Sequence, residues 1–238
     1  MARTFLPHAQ MRLLIFKILR PHAWIFGVSI ARGGAAGDLY ILGGENNGMK
    51  AMEDKIRCCG KILPGDVLKV DSFLNHQIDV EFLLTIGEEF YRLFGNEGVT
   101  KVLTIEASGI GVACLTAQYF HAPVLFAKKS LTSNMSADVY LSRVESYTHK
   151  RGYDVTVAKE YLRPEDRVLI IDDFLARGNA LEALLDIVGQ AGATVVGCGI
   201  VIEKVYQGGG DLLRARGVRV ESIAKIAAMS EKDGFVFC

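Results

Sequence analysis

The sequence predicts an α/β fold with a mostly parallel central sheet flanked by helices. Three observations carry that expectation. Short apolar, β-branched runs recur at Val99–Ile105, Val124–Ala127, Val168–Ile171 and Val195–Ile202; helical periodicity fills the intervals; and one run ends in a carboxylate pair that feeds a small-residue loop and another helix. Strands apolar on both faces and alternating with helices imply a parallel sheet with right-handed crossovers.

Size and charge narrow the function classes. A chain of 238 residues, half of them hydrophobic, suits one enzyme-sized α/β domain. Lys and Arg total 27 and so do Asp and Glu, so no net field marks a nucleic-acid or membrane binder, and any polyanion must be gripped locally. The cysteines Cys58, Cys59, Cys114, Cys198 and Cys238 form no CxxC pair. They fit a reducing compartment and no zinc site, with Cys114 and Cys198 expected as small core residues.

The elements follow in chain order. Before Gly37 the chain carries Arg3, Arg12, Lys17, Arg20 and Arg32 and no acid, and these charges cut its apolar bursts below the roughly 20 residues a bilayer span needs. Residues 1–51 are expected to be a disordered extension or the product of an upstream start, with Met49 and Met52 as internal starts. From Ile78 to Phe94, Ile78, Phe82, Leu83, Ile86, Phe90, Leu93 and Phe94 recur at helical spacing, and Gly95 and Gly98 stop the helix. The strand Val99–Ile105 ends in Glu106-Ala-Ser-Gly-Ile-Gly111 before a helix expected over Val112–Phe120. Val124–Ala127 reads as a buried strand ending at Lys128-Lys129.

From Ser130 to Asp154 the pattern dissolves into polar and charged residues. A long excursion of this kind inside a compact domain is expected to be an active-site lid. Strands are expected again at Val155–Ala158 and Val168–Ile171, the latter closed by Asp172-Asp173. Leu181, Leu184, Leu185 and Val188 then mark a helix that Gly192 ends. Val195–Ile202 is the next buried strand, and Val218–Ile223 a further one.

The chemistry concentrates in Val168-Leu-Ile-Ile-Asp-Asp-Phe-Leu-Ala-Arg-Gly-Asn-Ala180. Open α/β sheets bind ligands at the carboxyl ends of their strands, where Asp172 and Asp173 stand. Alternation sends neighbouring strand residues to opposite faces, so the two serve one ligand only if the strand ends there and the backbone turns. Adjacent like charges favour a partner that supplies hydroxyl donors or a cation, and ribose hydroxyls do so. Beyond them Ala176, Arg177, Gly178, Asn179 and Ala180 lead into a helix whose N-terminal amides suit an anion. A diol grip beside a phosphate cradle describes a phosphoribosyl group. Alone, the aspartate pair is equally well an acidic strand end before a capped helix.

This segment resembles the phosphoribosyl pyrophosphate (PRPP) signature of type I phosphoribosyltransferases, and the likeness narrows to their bacterial xanthine branch over about Met52–Phe237. Three stretches carry it: Leu68-Lys-Val-Asp-Ser-Phe-Leu-Asn-His-Gln-Ile-Asp79, Ile170-Ile-Asp-Asp-Phe-Leu-Ala176 and Gly199-Ile-Val-Ile-Glu-Lys204. The resemblance implies a phosphoribosyltransferase domain over 52–238 with a small hood and a flexible lid. It implies transfer from PRPP to xanthine with Mg2+ carried mainly by PRPP, in a cytoplasmic homodimer with no nucleic-acid or membrane partner. It assigns PRPP to Ala176–Ala180, xanthine to Leu68, Asn75 and Lys204, and pyrophosphate to the turn at Ala107, Ser108 and Gly109. The stretch before Met52 and the short basic run Lys128-Lys129 depart from the family pattern.

Several readings stay open. The Glu106–Gly111 turn is not a dinucleotide fingerprint, since Cys114 stands where a third glycine belongs, nor a Walker loop. A plain tight turn would look the same. Lys204 beside Glu203 reads either as a surface ion pair of little weight or as a donor to a purine oxygen. His76 and Tyr147 are expected to be structural. A guanine or hypoxanthine transferase and a non-catalytic PRPP-binding regulator are the alternatives to a xanthine enzyme.

Overall fold

The four apolar runs become parallel strands, buried on both faces along most of the central β-runs Lys101–Ile105 and Arg167–Leu175 and more open at the edge run Val124–Ala127, where Phe126 is exposed. The computed structural model describes residues 29–33, 38–42, 47–65, 67–129, 138–144 and 152–238. The chain divides into the units Met1–Asn47 and Gly48–Cys238. In the first, β1 (Ser29–Gly33) and β2 (Asp38–Leu42) pair antiparallel. The rest of the extension before Asn47 lies outside the described residues.

The second unit opens with α1 (Asn47–Cys59), which places Met52 and Ile56, four residues apart, on one buried face. This helix runs through residue 52. A small antiparallel ribbon of β3 (Lys61–Leu63) and β4 (Val67–Lys69) follows, then a wide helical turn at Asp71–Asn75. Helix α2 (Val80–Phe94) starts where Asp79 accepts a hydrogen bond from the Phe82 amide at 3.2 Å. It buries Leu83, Ile86, Phe90 and Phe94, each contributing about 1.5–3 kcal/mol of apolar burial.

Strand β5 (Lys101–Ile105) leads into α3 (Gly109–Phe120), and β6 (Val124–Ala127) follows. Then come β7 (Val139–Val144), β8 (Tyr153–Ala158), β9 (Arg167–Leu175), α4 (Asn179–Gln190) and β10 (Thr194–Lys204). The short helix α5 (Gly209–Ala215), β11 (Val220–Ser230) and β12 (Gly234–Phe237) complete the chain. The main sheet has the order β12-β11-β10-β9-β5-β6, parallel except at β12. One core layer gathers α1, α2, α3 and the β3–β4 segment; the other gathers α4, β8 and Leu213 of α5. Among the described residues no helix is long and apolar enough to cross a membrane.

The structure corrects several expectations. The helix expected from Val112 begins at Gly109, because the glycine turn is itself its first turn. The polar excursion holds regular structure: β7 and β8 pair antiparallel in register from Val139↔Ala158 to Val144↔Tyr153. In β7 the inward face is Tyr140, Ser142 and Val144, with a serine among its apolar residues, while Leu141 on the opposite face is exposed, so no apolar alternation marks the strand. Residues 130–137 and 145–151 of the stretch expected to be a lid, Tyr147 among them, lie outside the described residues. Strand β9 does not close at Asp172-Asp173 but runs to Leu175. Cys114 is exposed on α3, while Cys198 is buried as expected, its thiol pushed up to about 12 by burial and then by Asp172.

Candidate active site

Strand β9 delivers the two carboxylates where its side-chain alternation breaks. Ile171 and Phe174 pack in the first core layer and Leu175 in the second, although strict alternation would give Ile171 and Leu175 the same face. The slip falls on the aspartate pair, so strict alternation no longer sends the two acids to opposite faces although the strand continues. Asp172 is 5% exposed and Asp173 6%. Asp172 Oδ1 accepts a hydrogen bond from the Asp173 amide at 3.0 Å. Burial, and next the Asp173 charge, push the Asp172 carboxyl well above the ordinary range, against a smaller pull from Lys129. A buried acidic pair of this kind favours a ligand that brings hydroxyl donors or a cation.

Immediately beyond, Ala176–Gly178 turns into α4. Gly178 takes φ 90°, a left-handed conformation that glycine adopts without cost, and its carbonyl accepts from the Glu182 amide at 2.9 Å. The first amides of α4 are left facing the loop, an arrangement suited to a dianion. Helix α5 supports this loop from behind. The Gly209 amide donates to the Ala176 carbonyl at 3.1 Å. A Cβ on Gly209 would collide with that carbonyl and stand 2.7 Å from the Gly178 nitrogen.

The second loop, Glu106–Ser108, connects β5 to α3. A carboxylate oxygen of Glu106 accepts from the Lys129 amide at 2.6 Å, tying the loop to the end of β6. Ala107 is exposed, Ser108 half-buried and Gly109 buried. A Cβ on Gly109 would collide with the buried Thr104 hydroxyl and stand 3.0 Å from Asp172 Oδ1. The turn expected to hold pyrophosphate thus lies directly against the carboxylate pair.

The residues expected at the base are placed by different elements. Leu68 of β4 is buried in the first core layer and Asn75 is exposed at the end of the wide turn. That segment abuts the first turn of α3, where a Cβ on Gly111 would stand 2.6 Å from Ile78 Cδ1. His76 is exposed. Lys204 ends β10, and Glu203 before it is 1% exposed and bound by Arg214 and Ser222. The surface ion pair considered for Glu203 and Lys204 is therefore not what holds Glu203.

Among the described residues no group of three or more His, Cys, Asp or Glu forms a metal cluster. Sequence reasoning missed Thr104, Glu106, Gly209, Glu203 and Arg214 as site-shaping residues. The run Gly208-Gly209-Gly210 was a signal for a close approach; the pairing of Glu203 with Arg214 left none.

Two glycine-shaped anion loops around a buried acidic pair, at the carboxyl edge of a parallel sheet, define a phosphoribosyl-binding class of enzyme. Residues 76–228 match the Phosphoribosyl transferase domain, and the chain belongs to that family. Similar relatives are xanthine phosphoribosyltransferases. That of Lachnoclostridium phytofermentans is 55% identical over 188 residues, covering 79% of this chain and 97% of the relative. That of Clostridium novyi is 54% identical over 188 residues, covering 79% and 98%. That of Moorella thermoacetica is 54% identical over 182 residues, covering 76% and 93%. Adenine phosphoribosyltransferases share the fold. The Rhodothermus marinus structure has a TM-score of 0.62 at 24% identity, over 74% of this chain and 99% of that one. The Trypanosoma brucei structure has a TM-score of 0.64 at 18% identity, over 77% and 83%.

Proposed function

We infer that this protein transfers the 5-phosphoribosyl group of PRPP to xanthine, forming xanthosine 5′-monophosphate and pyrophosphate. The buried Asp172–Asp173 pair, flanked by the Ala176–Ala180 and Ala107–Gly109 loops, carries this reading. The xanthine relatives, about half identical over nearly their whole length, support the choice of base. The transferase domain takes in residues 52–238, and the enzyme works in the cytoplasm as a homodimer.

In the reaction a purine ring nitrogen bonds to the ribose anomeric carbon, the bond to the pyrophosphate oxygen breaks, and the purine loses its proton. Positive charge develops on the ribose, so positioning and charge stabilisation replace a covalent nucleophile. Asp172 and Asp173 accept hydrogen bonds from the ribose hydroxyls. The amides of Ala176–Ala180 bind the 5′-phosphate, and Ala107, Ser108 and Gly109 bind the pyrophosphate. Lys204 and Asn75 meet the polar edge of the base beside Leu68. The buried carboxylates of Asp172 and Asp173 would offer hard oxygens to a Mg2+ ion carried mainly by PRPP. When bound, that ion would offset the charge of the departing pyrophosphate.

Initial rates with PRPP and xanthine, guanine or hypoxanthine test the function. Xanthine is expected to be used best; equal rates with guanine would move the assignment to an oxopurine transferase, and no transfer at all would leave a PRPP-binding regulator. Lys204→Ala is expected to raise the KM for xanthine by about tenfold, the value of one charged hydrogen bond, with PRPP affinity preserved. Equal loss of both affinities would contradict its place at the base.

Proton linkage gives a second test. The Asp172 carboxyl titrates above its ordinary range in the free protein, chiefly through burial. Ribose hydroxyls and the bound cation favour its ionised form, so PRPP binding is expected to release protons. The release should grow as pH falls toward that raised pKa and vanish well above it. Titration calorimetry in buffers of different ionisation enthalpy measures it; proton uptake would overturn the assignment.

A further inference from the structure

Glu203 is a carboxylate sealed from solvent and used by none of the steps above. It is 1% exposed. Arg214 of α5 grips it with two hydrogen bonds, Nη1 to Oε1 at 2.9 Å and Nη2 to Oε2 at 2.7 Å. Ser222 of β11 donates to Oε2 at 2.5 Å. Arg214 Nε also donates to the Val220 carbonyl at 3.2 Å, so the guanidinium bridges β10, β11 and α5. Burial alone would raise the Glu203 carboxyl, but the bonds from Arg214 and Ser222 outweigh it and hold it below its ordinary value. An ion pair this enclosed has an expensive desolvation, which an apolar pair of similar volume would not incur.

Its position explains the expense. In the sheet Glu203 pairs with Leu175, the residue before Ala176, and in sequence it precedes Lys204. Arg214 sits on the same short helix as Gly209, whose amide holds the Ala176 carbonyl and whose bare Cα lets α5 touch the loop. Leu213, fully buried, comes within 3.6 Å of the place a Gly178 Cβ would take. Gly210 leaves room for the pair itself, since a Cβ there would collide with Glu203 Oε1. One buried carboxylate therefore ties the strand end that carries Lys204 to the helix that backs the Ala176–Ala180 loop.

We propose that Glu203, with Arg214 and Ser222, is a positioning residue that fixes the 5′-phosphate loop and the base-binding strand end as one rigid unit, holding both substrates in register. The proposal rests on the transferase reading above. Breaking the unit lets α5 and the end of β10 settle independently, so both binding elements lose their mutual placement. A small misplacement of reacting groups is costly in rate even far from the chemistry.

The test is steady-state kinetics of the full chain with PRPP and xanthine. Glu203→Gln removes the charge and keeps the shape; Arg214→Lys keeps the charge and loses the paired geometry. For Glu203→Gln the KM for PRPP and the KM for xanthine are both expected to rise about tenfold, the loss of a charged hydrogen-bonded pair. For Arg214→Lys both should rise by less, and the double variant should be no worse than the more affected single one, as for residues acting as a unit. Measurements run well below each variant's Tm, so a merely structural role would lower Tm and leave both KM values at the wild-type level. That outcome, or a rise confined to one substrate, overturns the proposal. If Glu203→Gln does not fold, Arg214→Lys and Ser222→Ala, which leave the carboxylate partnered, are read by the same criteria. Inactive wild-type protein would instead refute the transferase reading, which separates the two failures.

Discussion

Asp172→Asn is expected to lower kcat by about a hundredfold or more, the scale of losing one preorganised charge at a reacting centre, while the protein becomes no less stable. The amide has the same shape, and its oxygen can still accept from the Asp173 amide at 3.0 Å. It cannot carry the negative charge that faces the developing cation. Stability should move the other way. Burial, then the Asp173 charge, raise the folded-state Asp172 pKa above its unfolded value. Ionising it in the folded protein is therefore penalised: the favourable contribution exists below the unfolded pKa and is lost as pH rises through the folded one. At neutral pH the substitution removes that penalty, so Tm should hold or rise. Thermal unfolding and turnover measured on one sample check both halves. Unchanged kcat would remove Asp172 from the ribose, and a large fall in Tm would mean that the charge holds the strand end together.

Gly209→Ala is expected to cut kcat/KM for PRPP by about a hundredfold, the price of displacing a binding loop by about an ångström. The added methyl meets backbone rather than the tip of a flexible side chain: the Ala176 carbonyl, Arg177 and the Gly178 nitrogen all lie in its way. Either α5 withdraws or the phosphate loop moves. The neighbouring Gly208 provides the contrast. It has φ 77° and open space around its missing Cβ. Gly208→Ala should therefore cost about 1 kcal/mol in backbone strain with little effect on PRPP use. Similar kinetics for the two variants would show that α5 does not shape the loop.

Much of the fold was legible because apolar periodicity reports burial. Strands β5, β6, β9 and β10 and helix α2 stand close to where their apolar residues placed them. The errors fell where periodicity is weak or local. In β7 the burial pattern is only partly alternating, so that strand of the ribbon read as loop, while its partner β8 stands where Val155–Ala158 placed it. The end of β9 was misplaced because charged residues normally mark a strand's exit into solvent. Here both carboxylates are buried within the strand, and Asp172 is paired with Ile200 of β10 and packed against Gly109 of the turn.

By itself the sequence determined the class of chemistry: a carboxylate pair at a strand end, a small-residue loop opening a helix, and a second glycine turn after another strand. Those are local patterns, written in consecutive residues. Only the tertiary structure decided that the Gly109 turn packs against Asp172, that the alternation slips across the aspartate pair, and that Glu203 binds Arg214 and Ser222. Such contacts depend on strand order, register and the close approach of backbones. A bidentate ion pair reaches across eleven residues of chain and a helix turn, and no periodicity in the chain encodes it.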